Sequence, residues 1–183
     1  MGIVSSIAPL EQMLVGVPPL PFSSDISPTH GAEISDEDLA LATDFVRFLR
    51  PPPQAKRDAA ANDGRDLFAS IGCATCHTPS MKTGPSAVKA LSNVTVAAFT
   101  DLLLHDMGPG LADICRGNTL PSEFRTEPLM GLRFRGHFLH DARSGTIEDA
   151  ILQHGGESSR SRDRFAGLKA SQRAAVLAYL NTL

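Results

Sequence analysis

Tryptophan is absent and tyrosine occurs once, so aromatic residues fill only 5% of the 183 positions. A small core with so few large rings is thin unless some other flat apolar body helps to fill it. Long apolar runs are missing too. No window approaches the roughly 18 consecutive apolar residues of a membrane span, which excludes a spanning helix. Basic clusters are also lacking: the formal net charge is −3 with the signs interspersed, so the electrostatic footprint of a nucleic-acid binder is not there. The first basic residue is Arg47. The weakly apolar stretch from Ile3 to Leu20, broken by Pro9, Pro18 and Pro19, therefore has no positive region of the kind that opens a secretory signal. Either an export signal has been removed or the chain begins inside a longer protein. What is present is 42% apolar residues, enough for one ordinary hydrophobic core and a fragment of a second.

Residues 1–31 are rich in Pro, Ser and Gly without a period and read as extended linker. The pattern changes at Ser35. Ser35 followed by Asp38 resembles a capping box, and Leu39, Ala42, Phe45, Val46 and Leu49 then fall on one helical face until Pro51, Pro52 and Pro53 stop it. A second helix is predicted from about Asn62, with Leu67, Phe68 and Ile71 inward, ending at Gly72. From Thr78 to Pro128 the chain is loop-rich. It holds one helical piece around Val96 to His105 and turns at Gly84-Pro85, Gly108-Pro109-Gly110 and Gly117-Asn118. Arg133 to Leu139 reads as a short extended segment. Thr146, with Asp149 three residues on, opens a capped helix closed by Gly155-Gly156, and Ile147, Ile151 and His154 share one face of it. The final helix starts near Ser171 and buries Val176, Leu177, Leu180 and Leu183.

A weak internal echo bears on domain organisation. Laid without gaps on Gln172 to Leu183, the stretch Asp38 to Leu49 matches Phe45 to Tyr179, Val46 to Leu180 and Leu49 to Leu183. On one reading, residues 1–53 are a linker plus the closing helix of an upstream domain, and residues 62–183 form the complete domain. On the other, any two amphipathic helices match this well.

The chemistry lies in Cys73-Ala74-Thr75-Cys76-His77. In a C-x-x-C-H run each thiol is spaced to join one vinyl group of the same porphyrin while the next residue turns its imidazole onto the iron. A porphyrin is also the flat apolar body that the sparse aromatics call for. Two other readings compete. A zinc site needs two more ligands, yet Cys115 stands alone and only His137 and His140 are paired, three apart. A thioredoxin-like redox pair belongs at a helix start after a strand, whereas here a helix precedes and Thr78-Pro79 follows. One covalent haem c is therefore expected, in the periplasm or otherwise outside the cytoplasm, where such attachment is completed. Cys115 is then an odd thiol, read as a small buried hydrophobe.

The stretches GRDLFASIGCATCHTP, DLLLHDMGPGLAD and FRTEPLMGLRFRGHFLHDARSGTIEDAILQHGGES, with the closing helix, resemble the C-terminal cytochrome domain of bacterial di-haem oxidoreductases. This group is related to the di-haem cytochrome c peroxidases. The resemblance covers most of Asn62 to Leu183 and implies a mostly α, cytochrome c-like helical domain with long loops around a covalent haem. It also implies two haems in separate domains, one open to peroxide or another small oxidant and one relaying electrons. Only one C-x-x-C-H is present, so the partner haem lies outside this sequence. Further departures are Ala142 where relatives usually read Gly, Met130 where an aromatic is common, and His137 where Pro is common.

In the peroxidase relatives the segment resembling Thr146 to His154 ends in the Met that ligates the relay haem, and His154 occupies that place. The residues themselves agree, for His154 lies on the apolar face of a short capped helix beside a Gly-Gly pair. His77 and His154 are the expected axial pair. Met107 is the alternative, with His105, His140 and an open position behind it, and a plain helix-end histidine interacting with the dipole is the bland reading of His154. His105, His140 and Asp141 read as hydrogen-bonding loop anchors. Arg133, Arg135 and Arg143 are candidates for haem propionates or simple surface charge, and Met13, Met81 and Met130 fill gaps.

The function expected is electron relay to or from a partner haem domain or a small redox protein, with no nucleic acid involved. A self-standing five-coordinate haem, acting as peroxidase or gas sensor, is the rival. A structural domain that never receives haem is the third reading.

Overall fold

The computed structural model describes residues 34–113 and 119–183. The expectations for residues 1–31, Cys115 and the Gly117-Asn118 turn lie outside the described residues. Two compact units divide the chain, and the one that carries the C-x-x-C-H run comprises Pro51–Asp113 and Ser122–Leu183.

In the other unit, α1 spans Asp36–Arg47. It starts as predicted, with the Ser35 hydroxyl accepting from the Asp38 N–H at 3.0 Å and three acidic residues in the first turn, where the helix dipole favours them. It ends before the three prolines, and none of its residues is buried.

In the larger unit, α2 spans Ala59–Ser70, three residues ahead of the predicted start, because the Asp58 carboxylate accepts from the Ala61 N–H at 2.8 Å and caps the helix earlier. α2 packs on the last helix, α5, Ala170–Leu180. Gly64 is the point of closest approach, where a Cβ would meet the Ala175 carbonyl oxygen at 1.9 Å. Around that contact Phe68, Ile71, Phe99, Leu132, Phe165, Val176, Tyr179, Leu180 and Leu183 form one core. Tyr179 sits edge-on to Phe68 at 5.6 Å and to Phe99 at 6.5 Å, the arrangement that aromatic quadrupoles favour. Leu177, predicted to be buried, only packs against this core from its edge.

Two further helices cover the site. α3, Ile147–Leu152, is capped by Thr146, whose hydroxyl accepts from the Asp149 N–H at 3.1 Å. α4, Ser159–Ala166, is a helix that the periodicity did not reveal. Its residues are mostly polar, and a single fully buried side chain, Phe165, holds it to the core.

Two short antiparallel ribbons complete the unit. β1 (Met81–Lys82) pairs with β2 (Thr95–Val96), and β3 (Leu104–Asp106) pairs with β4 (Glu123–Arg125) with His105 opposite Phe124. The helix expected around Val96 to His105 is thus replaced by the end of β2, an irregular stretch with Phe99 and Leu102 left-handed, and the start of β3. The side chains of that stretch compete for the backbone: Thr100 Oγ1 accepts from Leu102 N–H at 2.9 Å and the Asp101 carboxylate from Leu103 N–H at 3.0 Å. Arg133 to Leu139 is not a continuous strand either. A 3-10 turn over Leu132–Phe134 follows the left-handed Gly131, and only Phe138 makes a bridge, with Ser144. The result is a small helix-rich unit with few short strands, consistent with a cytochrome-like fold. Among the described residues no helix is long and apolar enough to cross a membrane.

Candidate functional site

α2 hands the chain directly to the site. Gly72 takes a left-handed φ of 98° that turns the backbone out of the helix, and a 3-10 turn over Cys73–Thr75 follows. The His77 N–H donates to the Cys73 carbonyl at 3.0 Å, so two thiols and one imidazole project from a single closed turn. Inside the ring, Nδ1 lies 3.1 Å from the Phe99 carbonyl. Donation to that oxygen orients the ring, and the Glu127 backbone is a further hydrogen-bond partner of the imidazole. Phe99 is buried and has a φ of 54°, a left-handed conformation that an aromatic residue seldom takes; here it aims the carbonyl at His77. Burial lowers the His77 pKa, outweighing the Phe99 bond, and the charge of His154 lowers it further.

Burial raises the Cys73 thiol to about 11, and burial with the nearby charges of Asp101 and Glu157 raises Cys76. Both thiols are free and stay protonated. A redox-active C-x-x-C pair needs the opposite, a depressed pKa.

His154 mirrors His77. Two residues past the end of α3, its Nδ1 lies 2.8 Å from the Ala150 carbonyl. Burial lowers its pKa against the pull of that carbonyl. The imidazole therefore closes the end of α3 by hydrogen bonding but is neutral, so it is not a cation set against the helix dipole. Its own carbonyl is held by Arg162 at 3.0 Å. Met107, the alternative ligand, has its sulfur 3.8 Å from the Ser158 hydroxyl, which donates to it.

Two other histidines, His105 and His140, are engaged with carboxylates. His105 Nε2 lies 2.9 Å from Asp101 and Nδ1 2.9 Å from Glu157. Its bonds to Glu157 and then Asp101 raise its pKa. Burial pushes the Asp101 carboxyl up, but hydrogen bonds from Leu103 N–H, His105 and Thr126 hold it at about 2. His140 stacks on Phe124 at 4.4 Å and reaches Asp113 at 3.2 Å. Asp141 pairs with Arg143, which also donates to the Gly110 carbonyl at 2.8 Å. Of the other arginines, Arg135 pairs with Glu127 at 3.1 Å. Arg133 donates to the Pro53 carbonyl at 3.0 Å and keeps a buried Nε–H without a partner.

Among the described residues one group has ligand atoms close enough for a metal ion, Cys76 with Asp101 and His105. It suits a metal poorly, because both His105 nitrogens already face carboxylates and the Cys76 thiol is held protonated. Asp101 and Glu157 were not foreseen from the sequence. Their signal was faint: an acid four residues before one candidate histidine and three after the other.

A helix-rich unit that offers paired thiols, an adjacent imidazole and a second neutral imidazole has the donor set of a haem-binding oxidoreductase. The family described as "Di-haem oxidoreductase, putative peroxidase" matches residues 24–183, and the chain belongs to that family. Among solved structures it is similar to a chain of hydrazine synthase from Kuenenia stuttgartiensis, at 20% identity and a TM-score of 0.49. The match covers 76% of this chain and 52% of that one, so the chain spans about half the length of its structural relative. No curated protein matches.

Proposed function

We propose that this chain is the electron-relay part of a di-haem oxidoreductase, holding one haem c by thioethers from Cys73 and Cys76 with the iron between His77 and His154. The observation that carries this reading is the matched state of the two imidazoles. Each is held neutral by burial and each donates Nδ1–H to a backbone carbonyl, at 3.1 Å to Phe99 and 2.8 Å to Ala150. The two rings also lie near enough to interact electrostatically.

When bound, haem supplies a one-electron couple, and the protein's part is to fix its surroundings. The backbone bonds on both imidazoles set their orientation and raise their basicity as ligands. Two strong ligands leave no position for peroxide, so the unit relays electrons and does not activate the oxidant. Its partner is a second haem domain or a small redox protein, outside the cytoplasm. The exposed apolar face of α1, with Leu41, Phe45 and Val46, and Leu49 just beyond its end, all more than half exposed, supports a helix made to close another domain.

A pyridine haemochrome spectrum of the exported protein tests covalent attachment, and a colourless product ends the proposal. His154→Ala in haem-loaded protein tests the axial pair. The ferric spectrum should change from low spin towards high spin, and an unchanged spectrum refutes the assignment. Rapid carbon monoxide binding to the unmutated protein would instead favour the five-coordinate rival.

A further inference from the structure

Resting on the reading that His154 is an axial ligand, we infer that Glu157 is a positioning residue that clamps the His154 loop onto the segment that also orients His77. The segment from Phe99 to Gly108 makes both contacts. At its start the Phe99 carbonyl accepts from His77 Nδ1. At its end the Glu157 carboxylate spans two donors, with Oε1 3.0 Å from the Asp106 N–H and Oε2 2.9 Å from His105 Nδ1. His105 in turn is tied back to Asp101 at 2.9 Å, and Asp101 to Leu103 N–H at 3.0 Å. Thr100 anchors the same segment through its hydroxyl to the Thr126 carbonyl at 2.7 Å and through its N–H to the Thr78 carbonyl at 3.1 Å.

The backbones close on each other beneath this carboxylate. A Cβ on Gly156, which has a φ of 51°, would sit 2.0 Å from the Asp106 carbonyl oxygen, so the residues following His154 approach β3 more closely than any side chain allows. Ser158 adds a contact from the same loop to Met107. The spacing between the two imidazoles is thus set by one short segment, and the Glu157 carboxylate is the charged link that holds its far end.

The test uses the reduced, haem-loaded full chain mixed with carbon monoxide, whose binding has to wait for His154 to leave the iron. Loss of a charge-assisted acceptor serving two donors should speed binding by about ten- to a hundred-fold in Glu157→Ala. Glu157→Gln, which keeps an acceptor for the Asp106 N–H but loses the charge facing His105, should fall in between while retaining the low-spin ferric spectrum. Glu148→Gln, outside the clamp, should bind at the unmutated rate. If Glu157→Ala binds no faster while His154→Ala binds fast, the clamp is overturned and the axial pair stands. If His154→Ala itself leaves spectrum and rate unchanged, the axial pair and the clamp fall together. Should Glu157→Ala not fold, Glu157→Gln decides: an unaltered rate overturns the clamp, and an accelerated one supports it.

Discussion

Gly64→Ala probes the crossing that delivers the site. A Cβ there would meet the Ala175 carbonyl oxygen at 1.9 Å, its carbon at 2.4 Å and Tyr179 Cβ at 3.0 Å. Ordinary contact begins near 3.4 Å, so α2 and α5 have to part by about 1.5 Å at that point. A gap of about 0.5–1 Å already forfeits a quarter to a half of each contact's attraction. The obstacle is backbone and cannot rotate away, which places the cost at or above the top of the usual overpacking range of about 1–3 kcal/mol. Alanine's better helix propensity offsets about 1 kcal/mol of that. A net loss of about 2 kcal/mol should lower the urea midpoint of the haem-loaded chain by roughly 1 M. Because α2 ends three residues before Cys73, the loss should also appear as a broadened visible haem band. A midpoint equal to or above that of the unmutated chain would refute the reasoning, since propensity would then have outweighed packing.

Ala142 has a φ of 61°, in the left-handed region that favours glycine; Ala142→Gly should raise stability by about 0.5–1 kcal/mol in urea unfolding. Phe165, with no exposed surface, is the buried side chain of α4, so Phe165→Ala should cost about 3–5 kcal/mol in thermal melting. Stability should peak near the ordinary histidine pKa of about 6.5. Above it, the support from His105, whose pKa is raised by Glu157 and Asp101, drains away as pH rises through that raised value. Below it, buried His77 and His154, with lowered pKa values, resist the protons that the unfolded chain takes up, so stability falls with pH. A melting temperature that is flat between about pH 5 and 8 would contradict both limbs.

The parts of the site that were legible in the sequence are those whose geometry is local. Cys73, Cys76 and His77 lie within one turn, and the Ser35 and Thr146 caps act over three residues, so spacing alone specifies them. The parts that were missed depend on distant partners. α4 reads as polar because its one buried residue is Phe165, and burial of one ring shows no period. The apolar run before His105 resembles a helix until Thr100 and Asp101 capture the neighbouring amides. His105 was noticed as a loop anchor, but Glu157 becomes its partner only when segments about fifty residues apart are brought together, and Asp101, four residues before it, meets it where the helix expected there does not form.

The echo between α1 and α5 shows the same limit in one pattern. Tyr179, Leu180 and Leu183 are 2%, 3% and 1% exposed, whereas Phe45, Val46 and Leu49, at the matching positions, are 69%, 65% and 55% exposed. An amphipathic stripe names the face that will be buried and is silent about what buries it. α5 meets α2, with Gly64 thinned to let the helices touch, while none of the side chains of α1 is buried. An apolar face of that size left to solvent is costly. A partner domain that covers it would therefore be stabilised by the same contacts that α5 makes here, with the chain running from that helix through the three prolines towards the Cys73 turn.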